Sequence, residues 1–167
     1  MEEAKRPDST QRLNLPPADL RIARRGERLT VFDPLRRRYV ALTPEEWVRQ
    51  HFVHFLQKER GFPPEVIANE VSLSLNGTRK RCDTVIYGAH AEPLMIVEYK
   101  APEVEITQHT FNQIGRYNIR LRVEWLVVSN GMQHFCCHID YESGQYRFLP
   151  QIPSYAEIAD ENHPDAL

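Results

Sequence analysis

The chain has 167 residues, 41% hydrophobic and 26% charged, with a formal net charge of −2. At this length about 70% of the unfolded chain's surface can be buried, so the balance suits one folded domain and excludes wholesale disorder. No global basic field announces nucleic acid, and no apolar run approaches the roughly 18 residues of a membrane helix.

Residues 1–20 are polar and carry Pro7, Pro16 and Pro17, which reads as a flexible arm. One domain is expected over 21–155, with an acidic tail over 156–167. Leu29–Asp33 and Tyr39–Leu42 predict two short strands joined by a turn at Pro34–Arg38. Thr43 reads as an N-cap, with Pro44 at the first helical position and Glu46 three residues after the cap. The helix should run to Arg60 and stop at Gly61, ahead of Pro63 and Pro64. Val48, Phe52, Phe55 and Leu56 share its apolar face, and Glu45 projects onto that face while Glu46 lies off it.

Val71, Leu73 and Leu75 alternate with serines, a period-2 strand. Asn76-Gly77 is a strong hairpin signal and leads into a strand over 78–87. After a loop at 88–93, Leu94–Lys100 is apolar on both faces until its end, as in a central strand. A helix is expected over 105–121, a strand over 124–129, a turn at Asn130-Gly131, a partner strand over 132–139 and a last strand over 146–149. The helix after the central strand should cross to a parallel neighbour. The fold class is α/β with a mixed sheet. Cys136 and Cys137 are adjacent and the third thiol is Cys82, so a disulfide framework is not expected and a reducing cytoplasm fits. His134-Phe135-Cys136-Cys137-His138 lacks a second C-x-x-C pair and reads as a buried strand rather than a zinc site.

An apolar strand that ends in Glu98-Tyr99-Lys100 needs explaining. Alternation puts Glu98 and Lys100 on one face. A two-residue turn at Asn76-Gly77 places Glu70 opposite Asp83. Pairing of residues 87 and 94 across the next loop places Asp83 opposite Glu98. Three carboxylates would then line adjacent strands, with Lys100 beside them. Opposed like charges destabilise a sheet unless a cation neutralises them, and hard oxygen ligands suit Mg²⁺ or Mn²⁺.

Asp83, a loop, then Glu98-Tyr99-Lys100 resembles the PD-(D/E)xK nuclease signature, with Cys82 in the place of proline. The αβββαβ order, preceded here by an extra N-terminal hairpin, matches that family's core. Gln113-Ile114-Gly115-Arg116-Tyr117 resembles the QxxxY motif of RecB-like and type I restriction nucleases. Thr43–Gln50, Val97–Pro102 and Val128–Gly131 resemble the nuclease domain of type I restriction enzyme motor (R) subunits.

The resemblance implies a restriction-endonuclease-like layered fold, a mixed central sheet flanked by helices. It implies a Mg²⁺-dependent DNA endonuclease, with Mn²⁺ able to substitute, that hydrolyses phosphodiester bonds. Asp83 and Glu98 would bind metal, with the Tyr99 carbonyl as a further ligand and Lys100 as the catalytic lysine. Gln113 and Tyr117 would sit beside the site. Glu45 would match the first-helix acid of relatives, and Glu70 is the other candidate for a third acid. Arg79, Lys80, Arg81 and Arg116 are expected to hold DNA phosphates. The chain carries no G-x-x-x-x-G-K-[ST] phosphate loop, so no ATP motor of its own is expected. Expected partners are DNA and restriction-modification subunits or a separate motor, with no membrane. The alternative is a non-catalytic DNA- or partner-binding module on the same fold.

Overall fold

The computed structural model describes residues 10–161. In chain order it forms β1 (Ile22–Arg25), β2 (Arg28–Asp33), β3 (Arg38–Ala41), α1 (Pro44–Glu59), β4 (Ile67–Leu75), β5 (Thr78–Tyr87) and β6 (Pro93–Tyr99). Then follow α2 (Gln108–Arg120), β7 (Trp125–Ser129), β8 (His134–Ile139), β9 (Tyr146–Leu149) and α3 (Tyr155–Glu161). β1, β2 and β3 make a small antiparallel sheet. The main sheet has six strands in the order β4-β5-β6-β7-β8-β9. Only β6 and β7 run parallel, joined through α2, and the other pairs are antiparallel, so the fold is mixed α/β.

Helix α1 starts where the cap predicts. The Thr43 side chain accepts from the Glu46 N–H, and Pro44 occupies the first turn. Its Val48, Phe52, Val53 and Leu56 pack on one face of the main sheet, against Val97, Tyr99, Trp125 and Val127. Phe111 of α2 joins a cluster on the other face with Val85, Ile96, Leu126, Val128 and Cys137. Strands β6 and β7 are therefore apolar on both faces because a helix covers each. At core positions such as Phe52, wholly buried, truncation to alanine costs about 3–5 kcal/mol.

One irregularity positions the site. Ile67 of β4 and Ile86 of β5 pack on the α1 side, and Val71, Leu73 and Leu75 of β4 and Cys82 of β5 on the α2 side. These residues share parity along their strands, so the faces exchange between Asn69 and Val71 and between Cys82 and Thr84. The ladder has Asn69 opposite Thr84 and Val71 opposite Cys82, and Glu70 between them takes φ +58°. That left-handed backbone is unfavourable for a residue with a Cβ, and it rotates the outer half of the hairpin relative to the inner half.

Three expectations are corrected. Part of the arm is docked: Leu13 is buried in the core, the Asn14 N–H donates to the Gly131 carbonyl, and the Trp47 indole donates to the Gln11 carbonyl. The polar composition hid two apolar anchors, Leu13 and the partly buried Leu15. The stretch expected as an acidic tail includes α3, whose Ile158 is wholly buried. Residues 1–9 and 162–167 of the expected arm and tail lie outside the described residues. Finally β1, a largely exposed strand, adds to the expected N-terminal hairpin. It has no apolar alternation, and is held by its pairing with β2 and by the Arg25 guanidinium over the Tyr39 ring of β3.

Candidate active site

The register on the site side of the sheet is as the hairpins predict. Thr84 pairs Val97, Val85 pairs Ile96 and Ile86 pairs Met95. Tyr87 pairs Pro93 rather than Leu94, because an irregularity after Ile86 absorbs one residue. Continued by one step, this ladder brings Asp83 beside Glu98, near enough for its charge to act on the Glu98 carboxyl. Asp83 is half-buried, its Oδ2 accepting the Tyr99 N–H at 2.9 Å. Its carbonyl accepts from the Arg49 guanidinium at 2.6 Å.

Glu98 is buried at the end of β6. Burial pushes its carboxyl up to about 8, and the adjacent Asp83 charge pushes the same way, against the pull of Lys80. The Lys80 ammonium contacts Oε1 of Glu98 and also reaches Oδ1 of Asn118 at 3.3 Å. Glu98 forms part of the wall of an open cleft of about 690 Å³. Lys80, Lys100, Gln113, Ile114, Arg116, Tyr117 and Arg120 form the rest. Strands β5 and β6 and helix α2 thus present one acid to four cations, an amide and an aromatic ring. Gln113 and Tyr117 stand one helical turn apart, and Tyr117 is 57% exposed.

Glu70 does not join the carboxylates. Its oxygens take Arg49 at 2.6 Å and Arg81 at 2.7 Å. Although burial acts to raise its pKa, these two guanidinium groups hold it below the ordinary value. Among the described residues, no three His, Cys, Asp or Glu side chains converge to form a metal cluster. The left-handed Glu70 backbone is the reason, since a regular strand would have kept Glu70 on the face of Asp83.

Glu45 is exposed on the first turn of α1, and Glu46 is the buried acid. At the start of a helix, the cover is set by the neighbouring turn rather than the wheel angle. The turn after β2 supplies Arg36, which contacts Glu46 at 2.6 Å, and Arg49 approaches the same carboxylate at 3.2 Å.

The basic run 79–81 is also split. Lys80 points into the cleft, Arg81 binds Glu70, and Arg79 is exposed. Alternation along β5 sends Arg79 and Arg81 to the face opposite Lys80.

Sequence reasoning missed the polar scaffold behind the site. Arg49, 6% exposed, bridges Glu46, Glu70 and the Asp83 carbonyl, and its guanidinium lies 5.7 Å from the centre of the Tyr99 ring. Burial acts to lower its pKa, but Glu46 and Glu70 raise it further, so it stays charged. A signal existed: Arg49 precedes Phe52 by three residues and Leu56 by seven, which places a cation on the apolar face of α1. The Tyr99 hydroxyl donates to Thr84 Oγ1, Thr84 donates to Asn69, and Asn69 donates to Asp33. This chain ties the small sheet to the strands that carry Asp83 and Glu98.

No curated protein sequence matches the chain. Its fold is similar to a structure described as a fragment of an HsdR subunit of a type I restriction enzyme from Vibrio vulnificus YJ016, at a TM-score of 0.51 and 20% identity. The match covers 72% of this chain and 25% of that one, so the chain spans about a quarter of that protein's length. Residues 44–153 match the model of the family described as type I restriction enzyme R protein N terminus. That stretch, well over half of the chain, holds β4 to β9, both covering helices and every residue of the cleft, and the chain belongs to the type I restriction enzyme R protein N-terminal family.

Proposed function

We propose that the cleft is a PD-(D/E)xK nuclease site that hydrolyses phosphodiester bonds in DNA with Mg²⁺, for which Mn²⁺ can substitute. The observation that carries this reading is the meeting of Glu98, Lys100, Gln113 and Tyr117 on one cationic cleft, with Asp83 directly beside Glu98. The donor set fits a hard divalent cation: two adjacent carboxyl groups, one driven towards its neutral form by burial and by the charge of the other. Asp83, Glu98 and the Tyr99 carbonyl would hold it. When bound, such a cation supplies Lewis-acid stabilisation of charge on a phosphate and lowers the pKa of water.

The chain's own residues do the rest. Lys100 places an ammonium beside Glu98, where it orients the attacking water and offsets charge that grows in the transition state. Arg116 and Arg120, one turn apart on α2, hold backbone phosphates, and Lys100 and Lys80 extend that cationic wall. Gln113 and Tyr117 contact the same strand from the helix. Glu45 and Glu70 fall outside this arrangement. We extend to this chain a role within a restriction-modification assembly, acting with other subunits or a separate motor.

The test is plasmid cleavage by wild type and Lys100→Ala, with Mg²⁺ and with EDTA, and DNA binding measured in Ca²⁺. The reading expects Mg²⁺-dependent cleavage that Lys100→Ala reduces by about 10²- to 10⁴-fold, with binding nearly intact. Equal nicking by both proteins contradicts it. Binding without cleavage by wild type, across linear, branched and supercoiled DNA, would identify the cleft as a binding module.

A further inference from the structure

We propose that Lys80 is the built-in counter-cation of this site, that a divalent ion displaces it from Glu98, and that Asn118 retains the freed ammonium at the cleft wall. This rests on the reading of Asp83 and Glu98 as metal ligands.

The first observation is the contact itself. The Lys80 ammonium sits on Oε1 of Glu98, one of the two oxygens that the carboxylate can offer a metal ion. A metal ion taking Oε1 competes with the ammonium for that oxygen and is repelled by its charge, so binding of the ion favours departure of Lys80. The second is the fold's route to this contact. Lys80 shares parity with Thr84 and Ile86, whose side chains face α1. It reaches the α2 side because the strand faces exchange at Asp83, opposite Glu70 with its φ of +58°. An unfavourable backbone conformation thus coincides with the delivery of one lysine to one acid.

The third observation is Asn118. It lies on α2 at 1% exposure, an expensive place for an amide. Its Oδ1 accepts from Lys80 at 3.3 Å, while its Nδ2 is buried with no hydrogen-bond partner. Asn118 therefore gives the ammonium a second partner within reach of the first. Lys80 has three donors and needs both contacts to satisfy two of them. Once off Glu98, the ammonium keeps Asn118 and still lines the cleft with Lys100, Arg116 and Arg120. There it can meet a phosphate of the substrate.

The consequence is that wild-type metal affinity is held down by the cost of moving Lys80. Removing that charge tightens metal binding, while removing a cation outside the cleft, such as Arg79, would leave it unchanged. The experiment is calorimetric titration of the DNA-free full chain with Mn²⁺. It compares wild type, Lys80→Met, Lys80→Gln, Lys80→Arg and Asp83→Asn, each checked for a cooperative melt. Lys80→Met and Lys80→Gln should bind Mn²⁺ at least roughly tenfold more tightly, the lower range for loss of one charge-assisted hydrogen bond that competes with the ion. Two neutral replacements guard against one failing to fold. Lys80→Arg keeps a competing cation and should stay weak, and Asp83→Asn should lose binding. Met and Gln variants that bind no more tightly than wild type, while Asp83→Asn still abolishes binding, overturn the role of Lys80 and leave the metal site standing. Absence of Mn²⁺ binding in wild type and in both neutral variants overturns both.

Discussion

The backbone N–H of Tyr99 donates to Oδ2 of Asp83 at 2.9 Å, so the residue between Glu98 and Lys100 is tied to the strand that carries the partner acid. On the other side of the sheet, the Tyr99 ring is buried beside Phe52 and the Arg49 guanidinium, and its hydroxyl donates to Thr84. One residue thus locks the site's backbone from both faces of β6. Its phenol is held far above its ordinary pKa, by burial above all, and acts as a neutral donor.

The scaffold that supports this lock should be measurable in Arg49→Ala. The Arg49 side chain is 7% exposed and pairs with Glu46 and Glu70, whose side chains are 6% and 22% exposed. Its removal leaves two carboxylates short of a partner and frees the Asp83 carbonyl. Such losses cost about 3–5 kcal/mol, which urea unfolding would report. Arg49→Lys should recover only part, because one ammonium cannot reproduce the forked contacts. A loss under about 1 kcal/mol would show that the scaffold does not bear on stability.

Acid sensitivity should trace to Asp33. Burial acts to raise its pKa, but hydrogen bonds from the Arg36 backbone and side chain and from Asn69, with the Arg36 charge, hold it below 3.8. A depressed carboxyl stabilises the fold above its unfolded pKa, and that contribution fades as pH falls through the folded value. The loss therefore falls in the acid range below about pH 4. Asp33→Asn should be less stable than wild type at pH 7, and the gap should narrow on acidification towards pH 2. Parallel stability curves for the two proteins would contradict this.

DNA affinity should separate the two faces of β5. Arg116→Ala with Arg120→Ala should lower the slope of log affinity against log salt by about one for each phosphate that the protein no longer neutralises. Arg79→Ala, on the opposite face from the cleft, should leave the slope unchanged. Fluorescence anisotropy across a salt series would measure both. A larger effect from Arg79 would move the DNA path to the other side of the sheet.

Much of this site was legible in the residues, and the limits were physical. The Asn76-Gly77 turn and the apolar run at 94–97 predict the ladder that sets Asp83 beside Glu98. Gln113 and Tyr117 meet the cleft as their helical spacing suggests. Period-2 alternation assumes a regular strand, however, and Glu70 breaks it with φ +58°. That one backbone change removed Glu70 from the acids and decided that Lys80, rather than Arg79 and Arg81, faces the cleft. Glu46 was misjudged for a different reason: its cover is Arg36, which arrives from a turn that α1's own periodicity cannot encode. Leu13 and Ile158 escaped notice as apolar anchors in polar segments, each buried because tertiary contacts fold the chain over them.

The account stands on Asp83 and Glu98 sharing one cation, and a crystal of the chain soaked in Mn²⁺ tests that most directly. The account predicts an anomalous peak between the two carboxyl groups, about 2.0–2.4 Å from oxygens of both, with the Lys80 ammonium moved off Glu98 and towards Asn118. A fully soaked crystal with no peak there, and Lys80 still seated on Glu98, would contradict it.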